Sequence, residues 1–290
     1  MFSQSSSLLT RGLPRAIISI AVRCLRRVDG VQVLGAHCCE SINTRLTSLL
    51  IDNILALDAG GLTSSLSPQA QQKVKAILLT HQHLDHIKDV AFIGYNHGLL
   101  IGAGLAYEPK LIYSTTKILD ALSAHILNDE NFPDFTESPS KVKPALRFCP
   151  LEPYKPETIQ GYTVVAVPVK HAVPAYGYQV SKEGKSLFYT GDTGPGLSTC
   201  WEYASPQLLI TEVSGSNRFS KQAIEVGHLT PQLIKEELIE FHQQKGYFPQ
   251  VILVHITPML EGEIRGEIDE VAKELGADIK LGYEGMKISL

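Results

Sequence analysis

Four side chains able to grip a divalent cation fall within six residues: His81, His83, Asp85 and His86, in Thr80-His81-Gln82-His83-Leu84-Asp85-His86. An apolar run, Ala76–Thr80, leads directly into them and reads as a buried strand. On an extended chain alternate residues point the same way, so His81 and His83 can share one cation. A turn after His83 then redirects Asp85 and His86 toward a second. Imidazole and carboxylate are borderline-to-hard ligands that suit Zn²⁺, Mn²⁺ or iron. The plain alternative is an exposed polar turn with incidental histidines.

Three further donors stand where apolar strands stop. His171 closes Pro168-Val169-Lys170-His171, Asp192 follows Tyr189-Thr190-Gly191, and His255 follows Val251–Val254. A rigid sheet edge holds ligands at fixed separations. Taken singly, the two histidines read as structural and Asp192 as a turn former in Gly-Asp-Thr-Gly. Asp58, in Leu57-Asp58-Ala59-Gly60, is either an outer carboxylate that steadies the histidine loop or a simple turn residue. Glu212, after the strand Leu208–Thr211, is either an orienting group or a surface acid.

The elements that must position these residues follow from apolar periodicity. Strands are predicted at Val31–Leu34, Leu46–Ile51, Ile54–Asp58, Thr163–Val169, Tyr176–Ser181, Ser186–Thr190, Leu208–Thr211 and Val251–His255. Helices are predicted at Ser67–Lys75, over 117–127, at Thr230–Gln243 with Pro231 in the first turn behind a threonine cap, and at Glu263–Leu275. Pro139, Pro144, Pro150, Pro153 and Pro156 mark a connection between the two halves. Strand-rich halves that each end in helices fit two sheets packed face to face.

H-x-H-x-D-H after an apolar strand, followed in order by His171, Asp192 and His255, resembles the metallo-β-lactamase superfamily over about residues 31–260. The resemblance implies an α/β fold, an αββα four-layer sandwich of two packed mixed β-sheets with helices on the outer faces. It implies one metal site of His81, His83, His171 and Asp192, and a second of Asp85, His86, His255 and the shared Asp192. Two divalent ions are expected, Zn²⁺ first, with Mn²⁺ or Fe²⁺ as alternatives. Such a pair acidifies a bound water so that hydroxide forms near neutral pH. One departure is Asp89, where members commonly place glycine three residues after the last motif histidine; an acid is expected to suit the first turn of the helix that follows.

Narrower similarity rests on Gly227-His228-Leu229-Thr230-Pro231, on His255-Ile256-Thr257-Pro258, on Asn131-Phe132-Pro133-Asp134-Phe135 behind His125, and on Leu84 within His-Leu-Asp-His. Together they resemble the class II 3′,5′-cyclic-nucleotide phosphodiesterases. This implies hydrolysis of cyclic AMP or cyclic GMP to 5′-nucleoside monophosphates by metal-held hydroxide, with Asp85 and His228 as catalytic residues. His228 would protonate the departing 3′ oxygen, because imidazole titrates near working pH, and Glu212 would orient it. The rival readings are a tRNA 3′-processing endonuclease-like RNA hydrolase, a non-catalytic nucleotide-binding member, and a thioester or lactone hydrolase. Asn96, His97, Tyr113, Phe132 and Tyr176 border a base pocket in this reading without any being assigned, and His97 reads as structural.

Composition bounds these expectations. The 290 residues are 44% hydrophobic and 19% charged, ordinary for a globular chain with room for a sizeable core. Residues 31–290 read as one catalytic domain and residues 1–30 as an N-terminal extension. The extension holds five arginines against one acid, a balance of +4, and Pro14–Val28 has the pattern of a basic helix. It is either dispensable or an organelle-targeting segment; otherwise a cytoplasmic protein is expected. The remainder holds 21 bases against 29 acids, a balance of −8, which argues against a long nucleic-acid partner. A small cyclic nucleotide is the expected partner, with a homodimer left open. Ala16–Val22 is too short to span a bilayer. Five cysteines with no C-x-x-C pair indicate free thiols in a reducing compartment, Cys38 and Cys39 being adjacent.

Overall fold

The computed structural model describes residues 30–289. The expected extension, with the basic helix at Pro14–Val28, therefore lies outside the described residues apart from Gly30. The first half of the chain forms β1 (Val31–Gly35), β2 (Ser48–Ile51), β3 (Leu55–Leu57), α1 (Leu62–Ser65), α2 (Pro68–Lys73), β4 (Ala76–Leu78), α3 (Leu84–Gly102), β5 (Lys110–Ser114) and α4 (Thr116–His125). A small hairpin, β6 (Pro139–Ser140) and β7 (Lys143–Pro144), precedes β8 (Leu146–Pro150). The second half forms β9 (Pro156–Ile159), β10 (Tyr162–Val169), β11 (Ala175–Lys182), β12 (Lys185–Tyr189), β13 (Leu208–Glu212), α5 (Ser220–Val226), α6 (Pro231–Lys245), β14 (Gln250–Val254), α7 (Glu261–Leu275), β15 (Ile279–Leu281) and β16 (Lys287–Ile288).

The central strands are apolar on both faces, so each face must be covered. In β4 and just beyond it, Ala76 and Leu78 join the layer between the sheets, while Ile77 and Leu79 join the layer beneath α3 and α4. In β14 the same alternation sends Ile252 and Val254 inward and Val251 and Leu253 toward α6 and α7. Period-two patterning thus builds three apolar layers and four structural ones, as expected. The two seven-stranded sheets run β16-β1-β2-β3-β4-β5-β8 and β15-β14-β13-β12-β11-β10-β9. Each is mixed: β3, β4, β5 and β8 are parallel in one, and β12 to β15 in the other.

The structure corrects the sequence reading in several places. The proline-rich connection carries strands that were not among the predicted ones, β8 and the start of β9. Both are edge strands, where a missing backbone N–H removes no ladder bond. Thr230 stands at the N-cap of α6 but does not bond its first turn; its hydroxyl pairs with Ser220 Oγ at 3.0 Å instead. The 19-residue α3, the short α5 and the last two strands lay outside the predicted elements. Among the described residues no helix is long and apolar enough to cross a membrane.

The layer beneath α6 is centred on Phe241, which is fully buried and packs edge-on against Trp201 and Tyr247 at ring separations of 4.9 and 5.2 Å. Phe241→Ala should cost about 3–5 kcal/mol, read as a lower urea midpoint with an unchanged slope.

Candidate metal centre

Five loops meet at one edge of the sandwich because the strands before them end there. Parallel registers align the carboxyl ends: Leu57 pairs with Leu78, Tyr189 with Ile210, and Glu212 with Val254. The chain leaves β3 through Asp58, β4 through His81, β10 through His171, β12 through Asp192, and β14 through His255. Asp58 and His255 take left-handed backbone angles, φ 57° and 60°. For non-glycine residues that costs roughly 1–2 kcal/mol, so the surrounding bonds must hold it.

Two donor groups result. His81, His83, His171 and Asp192 form one, and Asp85, His86, Asp192 and His255 form the other; in each, one ligand atom per residue lies within 4.8 Å of the rest. The split arises as the alternation predicts, with His83 as the N-cap of α3 and Asp85 and His86 in its first turn. In the first group His171 Nε2 is 3.2 Å from His83 Nδ1, and Asp192 Oδ2 is 3.8 Å from His81 Nε2. In the second, His255 Nε2 is 3.2 Å from Asp85 Oδ2, and His86 Nε2 is 3.2 Å from Asp192 Oδ1. Nitrogen ligands about 2.0–2.1 Å from a tetrahedral zinc stand about 3.3 Å apart, so the three separations of 3.2 Å would suit residues that hold such an ion, the fourth being wider at 3.8 Å.

The far nitrogen of four imidazoles is held by an acceptor, which fixes the near one toward the centre. His86 Nδ1–H donates to Asp58 Oδ2 at 2.8 Å. Asp58 also accepts from the Thr80 amide at 2.8 Å, the Thr80 hydroxyl at 2.9 Å and Tyr189 O–H at 2.7 Å. His81 Nδ1–H donates to Thr80 Oγ1 at 3.0 Å, so Asp58 steadies both histidines. His171 Nδ1–H donates to the Gly227 carbonyl at 2.9 Å. Gly227 has φ 79° and packs so closely that a Cβ would sit 2.9 Å from His171 Cα, which admits glycine alone. His255 Nδ1–H donates to Ser214 Oγ at 2.9 Å, and Ser214 O–H donates to Glu212 Oε2 at 2.6 Å. Glu212 Oε1 receives His228 Nδ1–H at 2.6 Å. His228 stacks on His255 with ring centres 5.4 Å apart and lies edge-on to His171 at 5.1 Å.

The electrostatics fit bound cations. Burial opposes ionisation of Asp192, yet His255 and His86 hold its carboxyl well below the usual carboxylate range. Burial and the neighbouring imidazoles depress His81 and His83, leaving neutral ligand nitrogens. Burial also opposes a charge on His86, but Asp192 and Asp58 raise it well above the usual histidine value, so this pair of acids attracts positive charge. Burial works against charge on His228 too, and Glu212 outweighs it, raising the pKa to about 9. His81 Nε2, His86 Nε2 and Asp192 Oδ1 are buried without hydrogen-bond partners. Buried polar atoms are costly to leave unpaired, and a cation supplies what these three lack.

A sequence profile described as the Beta-lactamase superfamily domain matches residues 47–256, a span that holds every donor above. The chain belongs to the beta-lactamase superfamily. A probable 3′,5′-cyclic-nucleotide phosphodiesterase of Yersinia pestis is 26% identical over 221 residues, covering 66% of this chain and 59% of that protein. Among solved structures, the metallo-beta-lactamase fold protein YhfI from Bacillus subtilis superposes with a TM-score of 0.72 at 19% identity, covering 90% of this chain and 99% of that one. Unliganded yeast PDE1 gives 0.71 at 19% identity, with the same coverages. Human tRNase Z, short form, gives 0.64 at 16% identity, covering 90% and 98%. These likenesses establish the metallo-β-lactamase fold.

Within this superfamily domain the structure also relocates Asp89. It sits beyond the first turn of α3, buried, and its Oδ2 accepts the Thr63 amide of α1 at 2.7 Å. The expectation that it serves its own helix terminus is therefore corrected: α3 has already begun at Leu84, and the acid caps a neighbour. Asn96 bonds Gln71, and His97 donates from Nε2 to the Glu108 carbonyl, so neither serves the centre. Ser214, Thr80 and Tyr189 escaped the sequence reading. Ser214 carried a usable signal, since it follows Glu212 by two residues and so shares its side of an extended chain.

Asp58→Asn should lower metal affinity about 10–100-fold in a chelator competition, because it unsettles two ligands at once. Unaltered affinity would remove Asp58 from that role. Burial raises the Asp89 pKa above its ordinary 3.8 despite the Thr63 amide and Lys88, so the native state takes up this proton more readily than the unfolded chain. The associated stability is present below 3.8 and lost as pH rises through the native value. Asp89→Asn should accordingly be more stable than the parent at pH 7, the gap closing toward pH 4, measured by urea unfolding.

Proposed function

We propose that the chain is a dinuclear-metal phosphodiesterase that hydrolyses 3′,5′-cyclic nucleotides to 5′-nucleoside monophosphates. The observation that carries this is the His228–Glu212 pair at the rim of two adjoining donor groups. Water ionisation alone serves any hydrolysis, but a strongly basic leaving alkoxide needs a proton donor beside the centre. His228 supplies it: its Nδ1 is committed to Glu212, and its Nε2 makes no hydrogen bond among the described residues. The 26% relationship to a probable cyclic-nucleotide phosphodiesterase supports the substrate class.

Two divalent cations, zinc first on the strength of the histidine-rich set, would be held by the two groups and supply positive charge for the phosphate oxygens and an acidified water. The residues of the chain do the rest. Asp192, its side chain 3% exposed, holds the two groups together, while Asp85, 31% exposed, is open to the cleft and orients the attacking water. As water adds to phosphorus it gives up a proton to the Asp85 carboxylate, and as the P–O3′ bond breaks His228 passes its Nε2 proton to O3′. Glu212 balances the charge on that imidazole throughout, and Ser214 ties it to His255.

On metal-loaded protein, a screen of cyclic AMP, cyclic GMP, bis-p-nitrophenyl phosphate and a precursor tRNA should show turnover of the cyclic nucleotides. Cleavage of the tRNA alone would replace this reading with the RNA hydrolase. His228→Ala should keep both metals and lose about 10²–10⁴-fold in turnover. Asp85→Ala or His255→Ala should bind one equivalent of metal fewer and lose nearly all activity, with the far-ultraviolet spectrum unchanged.

A further inference from the structure

Between the histidine loop and α4 lies a cavity of about 110 Å³, walled by Gln82, Leu84, Ile87, Ala121, His125 and Ile126. Four larger cavities, of about 250, 220, 590 and 140 Å³, lie at the β1–β16 edge, between α2 and the C-terminal half of α3, between the β2–β3 turn and α2, and beside β1 and α1; none of the donor residues forms part of their walls. The small one begins where the centre ends. Gln82 stands between His81 and His83, and the alternation that turns those two toward the donors turns Gln82 toward α4. Leu84 follows His83 at the start of α3 and is 60% exposed, an apolar side chain left open beside a charged cleft.

We infer that this cavity is a nucleobase subsite, with Gln82 reading the edge of the base; the inference rests on the phosphodiesterase reading for its substrate. A base offers two apolar faces and a polar rim, and the cavity supplies both kinds of contact. Leu84 and Ile87, one turn apart on α3, face Ala121 and Ile126 across the gap, and the small Ala121 side chain keeps the gap open. Covering Leu84 with an aromatic ring removes apolar surface from water. Gln82 and His125 also line the cavity, and neither makes a side-chain hydrogen bond among the described residues. An amide presents a donor and an acceptor side by side, the complement of a purine edge. Leu84 directly follows the donor His83, so a cyclic phosphate held at the donor groups would carry its base toward this cavity.

The test compares cyclic AMP and cyclic GMP with methyl riboside 3,5-cyclic phosphate, which carries a methoxy group in place of the base. The parent should favour the nucleotides, and Ala121→Trp, which fills the cavity, should cut that preference in kcat/KM by about tenfold or more, chiefly through KM. Gln82→Ala should change the ratio between adenine and guanine substrates. A preference that survives in Ala121→Trp overturns the subsite. Binding separates this inference from the activity it rests on: calorimetry should find adenosine 5′-monophosphate tighter than ribose 5-phosphate in the parent, and equal in Ala121→Trp. Should no cyclic phosphate be hydrolysed, that difference still supports the subsite, and equal affinities in the parent overturn it.

Discussion

A single buried carboxylate organises the molecule. Asp192 lies within 3.2–4.0 Å of imidazole nitrogens from His86, His255, His81 and His171, which come from three separate stretches of the chain. Five histidines and two aspartates share this cleft, several of them with buried atoms that no protein group satisfies. Such a concentration of unpaired polar atoms is tolerable only where positive charge offsets the carboxylates and takes up the free lone pairs. The fold holds that arrangement ready by placing every donor just past the end of a strand.

Rigidity comes from one layer further out. Asp58 collects four donors and through them steadies His81 and His86. Glu212 and Ser214 do the same for His255 and extend the network to His228. The two networks approach from opposite sheets, Asp58 from the end of β3 and Glu212 from the end of β13. Face-to-face sheet packing therefore sets the distance between the halves of the centre. The left-handed turns at Asp58 and His255 are the local cost of bending strand ends into the cleft, and the hydrogen bonds those residues make offset it.

The centre and its rim divide the work of reaction and recognition. The shared donors fit any substrate whose cleavage needs a charged oxygen stabilised, and they say little about which one. On the proposed reading, selectivity would come from groups beside the donors: the His228–Glu212 pair and the apolar gap beside Leu84.

By itself the sequence determined the alternation that separates His81 and His83 from Asp85 and His86 and the layering of two sheets, while the grouping of His171, Asp192 and His255 with them came from the family resemblance. His81 and His83 were legible because alternation is a local property of extended chain, and the apolar strands were legible because both faces of a central strand are buried. What only the tertiary structure decided was contact between distant segments. The bond from Ser214 to His255, the four donors on Asp58 and the reach of Asp89 to Thr63 each join residues that no period links. The prolines of β8 and β9 misled for a related reason: whether a missing N–H matters depends on whether a strand lies at the edge, and strand order is set by packing. Local patterning follows from covalent geometry and hydrophobicity. The partners of a buried polar group follow from where the whole chain comes together.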